Sequence, residues 1–375
     1  MATDDKYIAY RFRIYPDKKQ RIYFAKAFGC KRKYWNVCLE ESKNNLTNNN
    51  VAKFSSPAKV KADFPYMKEI DSLVFCNAQL DLQKAWKNHF KQSDKFGEPK
   101  FKKKRDGYAS FTTNNQNGTI KLSDKYLSIP KLKSKIKIKK HREFEGKIKS
   151  VIIIREPSGK YYASILVEVD EFLQGKTTSN AIGLDVGINK LITDSNGKVY
   201  DNIKTTKKYE KKKAREDRKL SRKKFGSNNY EKQRLKKAKV DEKIRNIRKD
   251  HIHKLTSKIV EENQTIVMED LKVKNMMKNP HLSKAIADCS WSEIARQLEY
   301  KAARQNKEFT KIDTFYPSSQ ICSNCGFRNH EVKKLSIRQW NCPCCNIHHD
   351  RDVNAAKNIL NKGLENLKKH HKDVL

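Results

Sequence analysis

The stretch AIGLDVGINKLITDSNGKVY, residues 181–200, decides how the second half of the chain is read. Its first residues are almost wholly apolar, as in a strand buried on both faces, and a turn follows at Gly187. A second apolar run leads into Ser195-Asn196-Gly197, the residue types of a tight hairpin turn. Asp185 breaks the pattern, being ionisable and set mid-strand between Gly183 and Gly187. The two glycines read as clearing space for a ligand close to the backbone. An Asp between glycines also fits a plain turn.

Two more acids stand in comparable settings. QTIVMEDL, residues 264–271, reads as a short buried strand ending at Glu269. Asp352 opens DVNAAKNIL, whose small Ala355 and Ala356 let a helix pack closely. Carboxylates at strand ends and helix starts are what a phosphodiester-cleaving protein needs to hold metal cations against the scissile phosphate. Each has a plainer reading, since Glu269-Asp270 can cap a following helix and Asp352 can be an N-cap with Asn354 in its first turn.

Between the second and third acids lie Cys322-x-x-Cys325 and Cys342-x-x-Cys345. Two such pairs at this separation can close a tetrahedron around one structural Zn2+, with Gly326 supplying the permissive turn after the first. Four thiolates leave no open position for water, so this metal folds the module and does not catalyse. Cys344 is an awkward ligand inside the second pair, and Cys30, Cys38, Cys76 and Cys289 have no metal spacing.

Charge names the partner. Lys and Arg number 82 against 43 Asp and Glu, a formal net charge of +39. So large a charge repels itself unless a polyanion is present, and 15 Tyr with 16 Phe supply a folded core and base-stacking surfaces. A long nucleic acid fits; a ribosomal or chromatin-type protein, or one bound to anionic membranes, is the plainer class. No apolar run approaches the ~20 residues of a membrane span and the N-terminus has no apolar signal core, so an intracellular protein is expected.

Upstream, residues 7–15 alternate as a strand, with Tyr10, Phe12 and Ile14 on one face and Arg11 and Arg13 on the other. Pro16-Asp17 opens a helical stretch and the Asn-rich segment 44–50 reads as a loop. Residues 71–90 read as a helix with Leu73, Asn77, Leu80 and Lys84 along one side. Residues 94–170 are rich in Lys and β-branched residues, and KIKSVIIIRE and KYYASILVEV flank Pro157-Ser158-Gly159 as a hairpin. Several short strands with basic faces imply a small β-barrel that the first strand joins. Residues 175–180 read as a linker, and residues 205–260 as two basic helices broken at Gly226-Ser227-Asn228. Cations there far outnumber acids, which favours phosphate contact over a solvated coiled hairpin. The second helix carries Val240, Ile244, Ile247, Leu255 and Ile259 on an apolar seam. Ser290 to Glu293 has a capping-box pattern opening a helix with Ile294 and Leu298 on one face. KEFTKIDTF reads as a strand before the cysteines.

In this order, AIGLDVGINKLIT, IVMEDL, YPSSQICSNCG, WNCPCC and HHDRDVNAAKNIL resemble the RuvC-like half of the TnpB family of small transposons. YRFRIYPDKKQ, FGCKRKYWN and PKFKKK resemble its opening strand, helical region and basic loop. The resemblance implies a multidomain α/β protein. A β-barrel wedge domain (residues 1–15 and 94–174) would carry a helical recognition insertion (16–93). An RNase H-like RuvC nuclease domain (175–375) would follow, with a zinc ribbon (317–348) inserted in it. It implies a guide RNA, double-stranded target DNA read beside a short fixed motif, and cleavage of both strands at one site. Matched by position, the catalytic acids are Asp185, Glu269 and Asp352, Asp352 being favoured over Asp350 because it precedes x-Asn-Ala-Ala. They would hold two Mg2+ ions ~3.5–4 Å apart. The zinc ligands are Cys322, Cys325, Cys342 and Cys345.

Phosphates would be tracked by Lys100, Lys102, Lys103, Lys104 and Arg105 in the basic loop, and by Lys211, Lys212, Arg215, Arg218, Arg222, Lys236 and Arg245 on the basic helices. Asn77, Gln79 and Gln83 offer amides able to bond adenine edges in the adjacent motif, although a Gln-rich surface helix explains them as well. A monomer within the ribonucleoprotein, in the cytoplasm at the nucleoid of a bacterium or archaeon, is expected. Three other functions stay open: an RNA-guided repressor, which would be expected to lose one acid; a DNA-joining transposase, told apart by its product; and a miniature CRISPR-associated effector of the same fold.

Overall fold

The structure, a computed structural model, describes residues 7–49, 51–104, 107–170 and 175–372. The chain divides into two compact units, residues 1–171 with 234–239, and residues 172–233 with 240–375.

In the first unit, β1 (Tyr7–Tyr15) leads through Pro16 into α1 (Lys18–Asn49). Asp17 and Gln20 cap that helix reciprocally: the Gln20 amide donates to Asp17 Oδ1 at 2.8 Å and the Asp17 amide to Gln20 Oε1 at 3.0 Å. The helix runs on through most of the Asn-rich segment expected to be a loop. Its polar side chains find partners along and just beyond the helix: Thr47 Oγ1 donates to Lys43 O at 3.1 Å, and Asn45 Nδ2 to Lys53 O at 2.7 Å. After α2 (Pro57–Asp63) comes α3 (Ser72–Lys91), capped by Asp71. It buries Val74, Phe75, Ala78, Leu82 and Trp86 and leaves Leu80 62% exposed. The side marked by Leu73, Asn77, Leu80 and Lys84 therefore lies roughly opposite the packing face, because Phe75 and Trp86 carry the larger apolar surface.

The strands β2 (Ala109–Asn114), β3 (Lys121–Leu122), β4 (Tyr126–Ser128), β5 (Ile136–Lys139), β6 (Lys147–Arg155) and β7 (Tyr161–Glu168) complete this unit. With β1 they form a seven-stranded sheet of order β2-β6-β7-β1-β5-β4-β3, antiparallel at every pairing. The first strand does join the later ones, between β7 and β5. Phe111 on β2 meets Phe24 and Phe28 of α1 at centroid distances of 5.9 and 5.5 Å, packing the long helix on the sheet.

The second unit opens with β8 (Ala181–Val186), β9 (Lys190–Asp194) and β10 (Val199–Asp201), then the basic helices α4 (Thr205–Ser221) and α5 (Asn228–Glu262). Next come β11 (Thr265–Glu269), the short α6 (Val273–Met276) and α7 (Ser283–Cys289), α8 (Trp291–Arg304) and β12 (Glu308–Ile312). The cysteine module carries β13 (Gln339–Asn341) and β14 (His348–Asp350), and α9 (Arg351–Lys372) closes the chain. The sheet order is β10-β9-β8-β11-β12, parallel across β8, β11 and β12. A strand's side chains alternate between faces. Ile182, Leu184, Ile266 and Met268 go to one face, in a core with Ile259 of α5 and Ile294 and Leu298 of α8. Val267 goes to the other, against Ile359 of α9.

Two local expectations change. A Cβ on Gly183 would lie 2.1 Å from Ala356 O and one on Gly187 2.8 Å from Lys190 O. These glycines admit α9 and a tight turn, so the space beside Asp185 is taken by the protein itself. Ser290 does not close a capping box: it sits at φ 54° with no side-chain cap bond, its hydroxyl donating back to Ala287 O at 3.1 Å. Glu293 bonds Arg296 and Gln297 instead.

Candidate metal and nucleic-acid site

Register and alternation place the acids. Met268 pairs with Leu184 in the parallel β8–β11 ladder, so the next residues, Glu269 and Asp185, stand at one level. Both share the face that α9 covers, since Gly183 and Val267, two residues before each, contact that helix. Asp352 lies in the first turn of α9, which brings it to the same end of the sheet. Burial first, then the charges of Glu269 and Asp352, push the Asp185 carboxyl well above the usual carboxylate range; Arg351 opposes them. Burial also raises Glu269, opposed by a 2.5 Å hydrogen bond from Ser318 Oγ.

Asp350 and Asp352 have separate tasks. Asp350 Oδ1 accepts the amides of Asp352 at 3.0 Å and Val353 at 3.1 Å, so Asp350 caps α9. The side chain of Asp352 is left to face Lys190 Nζ at 3.3 Å and Arg338 at 3.4 Å. The three carboxylates do not close to the spacing of a formed metal cluster. Among the described residues only Cys322, Cys325, Cys342 and Cys345 bring three or more candidate ligand atoms within 4.8 Å of one another.

Besides Arg338, four residues around the acids escaped the sequence reading. Ser318 fixes Glu269, and Lys190 pairs with Asp352. Arg351 is buried and donates to Lys334 O at 2.8 Å and Ser319 Oγ at 3.4 Å, tying the cysteine module to the start of α9. Asn358 Nδ2 donates to Ser318 O at 2.8 Å and Ile321 O at 2.6 Å. The strings DRD and YPSSQ hold two of these, and an Arg between two Asp was the available signal; Lys190 and Asn358 carried none.

The cysteines form two matching knuckles. Gly326 N donates to Cys322 O at 2.9 Å and Asn346 N to Cys342 O at 2.8 Å. Gly326 has φ 79° and Asn346 φ 57°, so Asn does in the second turn what Gly does in the first. Cys322 Sγ lies 3.6 Å from Cys345 Sγ, and Cys325 Sγ 3.6 Å from Cys342 Sγ. His349 Nε2 is 3.1 Å from Cys322 Sγ, a further polar contact to the cluster. An all-sulfur tetrahedral set suits zinc. Cys344 is exposed and outside the cluster.

Of the basic residues, Lys100, Lys102, Lys103, Lys104, Lys211, Lys212, Arg215, Arg218, Arg222, Lys236 and Arg245 are exposed, and Arg105 lies outside the described residues. Lys102 is less free than its exposure implies, because its ammonium sits 3.4 Å over the Trp35 ring. Burial there, then Lys31, lower its pKa to about 8. Asn77 Nδ2 is engaged by Asn114 Oδ1 at 2.6 Å and Leu73 O at 2.7 Å, Gln79 is half-buried and Gln83 exposed.

Relatives match most of the chain, among them two whose names begin "Putative RNA-guided DNA endonuclease". One, from Streptomyces pristinaespiralis, is 34% identical over 95% of this chain and 89% of its own length. The other, InsQ of Escherichia coli strain K12, is 30% identical over 95% of this chain and 92% of its own. The TnpB-like protein L79 of Acanthamoeba polyphaga mimivirus is 26% identical over 50% of this chain and 38% of its own. The chain belongs to the TnpB family. A family profile described as "Probable transposase" matches residues 164–280, the part holding Asp185 and Glu269. The "Cas12f1-like, TNB domain" profile matches residues 291–359, with the four cysteines and Asp352. A "Helix-turn-helix domain" profile matches residues 1–50, whose described part holds β1 and α1. The solved "Cryo-EM structure of the Cas12f1-sgRNA-target DNA complex" shares the fold. It has a TM-score of 0.61 at 15% identity and covers 92% of this chain and 83% of that one. Among the described residues, no helix of this TnpB family member is long and apolar enough to cross a membrane.

Proposed function

We propose that the chain is an RNA-guided, metal-dependent DNA endonuclease. Its five-stranded unit is read as a RuvC-like nuclease domain with an inserted zinc ribbon. Its seven-stranded sheet and helices are read as a β-barrel wedge domain with a recognition insertion. The observation that carries this reading is the placement of Asp185, Glu269 and Asp352, from two adjacent parallel strands and one helix start, at one end of one sheet face.

The residues fit divalent cations. Asp185 resists ionisation because it is buried and, beyond that, because the hard oxygen donors Glu269 and Asp352 stand near it, a cost that positive charge would relieve. Asp185, Glu269 and Asp352 would hold Mg2+, which when bound supplies an activated water and stabilises the charge that builds on the leaving oxygen. Ser318 keeps the Glu269 carboxylate in one orientation, and the Asp350 cap fixes the turn that aims Asp352. Lys190 and Arg338 balance Asp352 and lie where they can also meet phosphate oxygens. The four thiolates would hold Zn2+ and anchor the loop carrying Ser318. The exposed cations of α4 and α5 would track guide and target backbones, with base pairing reading the sequence.

The test is sequencing of the RNA that co-purifies with the protein, followed by Mg2+-dependent cutting of a matched DNA library, with Asp185→Asn alongside. Guide-matched cuts with free 5′-phosphate and 3′-hydroxyl ends, lost in the variant, are expected. Target occupancy without cuts would establish a repressor, and joined strands a transposase.

A further inference from the structure

The loop after β12 carries an aromatic ring that the fold leaves in solvent. Phe315 is 88% exposed, more than any other large apolar residue described, although its neighbour Tyr316 packs beside Val267, Ile312 and Ile359. A single exposed apolar side chain is ordinary on a protein surface. The backbone beneath this one is pinned on both sides to the strand that ends in Glu269. Thr314 Oγ1 donates to Asp270 O at 2.5 Å, and Ser318 Oγ to Glu269 Oε1 at 2.5 Å. The Phe315 amide donates to Asp313 Oδ1 at 2.7 Å, fixing the turn that turns the ring outward.

Ser318 is three chain steps after Phe315, a span of at most about 11 Å, or roughly three base spacings of 3.4 Å along a strand. Lys272, just past β11, and Lys311, on β12, bring cations to the foot of this loop, both paired with Asp270. Lys272 Nζ lies 2.7 Å and Lys311 Nζ 3.7 Å from the carboxylate of Asp270, the residue whose carbonyl holds Thr314. A ring exposed on a loop whose foot carries lysines matches the chemistry that binds single strands, the ring stacking a base and the cations meeting the backbone.

We propose that Phe315 stacks on an unpaired base of the DNA strand a few nucleotides from the scissile phosphate, and so sets the register in which that strand enters the acid site. Duplex DNA hides its base faces, so the occupant is a strand already opened. Phe315 touches substrate but not the reacting atoms; its part is to position. This rests on the nuclease reading of the acids.

The test has two arms on the full chain carrying its RNA. In the first, single-stranded DNA bearing 5-iodouracil at successive positions is photocrosslinked, and adducts are located by mass spectrometry. An adduct on Phe315 from a narrow window of positions is expected. Adducts confined to the basic helices, or one at Phe315 from iodouridine RNA alone, would overturn the proposal. In the second, Phe315→Ala should lower kcat/KM by about 5- to 100-fold and scatter the cut positions. The melting temperature should not change, and Phe315→Trp should restore the register. Unchanged rate and register in Phe315→Ala would overturn it. A wild-type protein that forms the Phe315 adduct yet cuts nothing would sink the nuclease reading and leave the stacking standing.

Discussion

The four thiols of the cysteine module already lie within 4.8 Å of one another, whereas Asp185, Glu269 and Asp352 do not draw together that tightly. Both groups belong to one unit, and the contrast follows from how each is built. The thiols come from two local turns, each with its own backbone hydrogen bonds and a left-handed residue, Gly326 or Asn346. The carboxylates come from three distant segments and meet through strand register and helix packing. They repel one another, and two of them lean on other groups, Glu269 on Ser318 and Asp352 on Lys190 and Arg338. Local chemistry shapes the first site, and the whole sheet has to be correct for the second.

The sharpest way to break that contrast is to remove a thiol. Structural zinc contributes about 10–16 kcal/mol of binding free energy that is also folding free energy. Cys342→Ser should therefore lose the bound zinc, measured by elemental analysis, and the hydrogen-exchange protection of residues 317–348. Protection kept without zinc would show that the knuckles stand alone.

Removing an acid should do the reverse to stability. Asp185→Asn should cut cleavage roughly a thousand-fold or more, since it deletes several kcal/mol of transition-state stabilisation. The metal-free protein should meanwhile gain about 1 kcal/mol, read as a few degrees in Tm. The sign follows from the raised carboxyl of Asp185. A group whose folded pKa exceeds its unfolded value contributes stability below the ordinary Asp range and loses it as pH rises through the folded value. The gain in Asp185→Asn should accordingly be larger at pH 8 than at pH 5, and a pH-independent gain would refute the cause. Metal binding at the wild-type site should strengthen over the same rise in pH.

Packing comes next. A Cβ at Gly183 would overlap Ala356 O, so Gly183→Ala should cost about 1–3 kcal/mol in thermal unfolding. It should also slow cleavage by shifting α9, and with it Asp352, relative to Asp185. The smallest effect belongs to single exposed cations. Lys212→Ala should weaken binding evenly across sequences and reduce the salt slope of RNA binding by about one unit.

The sequence made local features plain and distant ones partial. The C-x-x-C pairs, the Ser195-Asn196-Gly197 turn and the break before α5 are short-range signals, and they reappear where expected. The buried strands around Asp185 and Glu269 were visible as apolar runs, but what Gly183 makes room for was not, because its neighbour, Ala356 O, lies far along the chain. The helix at residues 71–90 was legible, but not which of its sides packs, because the partners of Phe75 and Trp86 lie elsewhere in the chain. Ser318 matters through a contact that no spacing encodes, and Arg351 left only the hint of an Arg between two Asp. The resemblance favoured Asp352 over Asp350, and the cap hydrogen bonds give the physical difference between them.

That separation gives the most direct test of the claim that three particular acids form one metal site. Mn2+ binding to the full chain would be followed by electron paramagnetic resonance in Asp185→Asn, Glu269→Gln, Asp352→Asn and Asp350→Asn, with DNA cleavage measured in parallel. Asn is also a good helix cap, so Asp350→Asn keeps α9 in place. The account predicts that the first three each lose Mn2+ binding and cleavage and that Asp350→Asn keeps both. Loss in Asp350→Asn with retention in Asp352→Asn, or Mn2+ binding indifferent to all four, would contradict it.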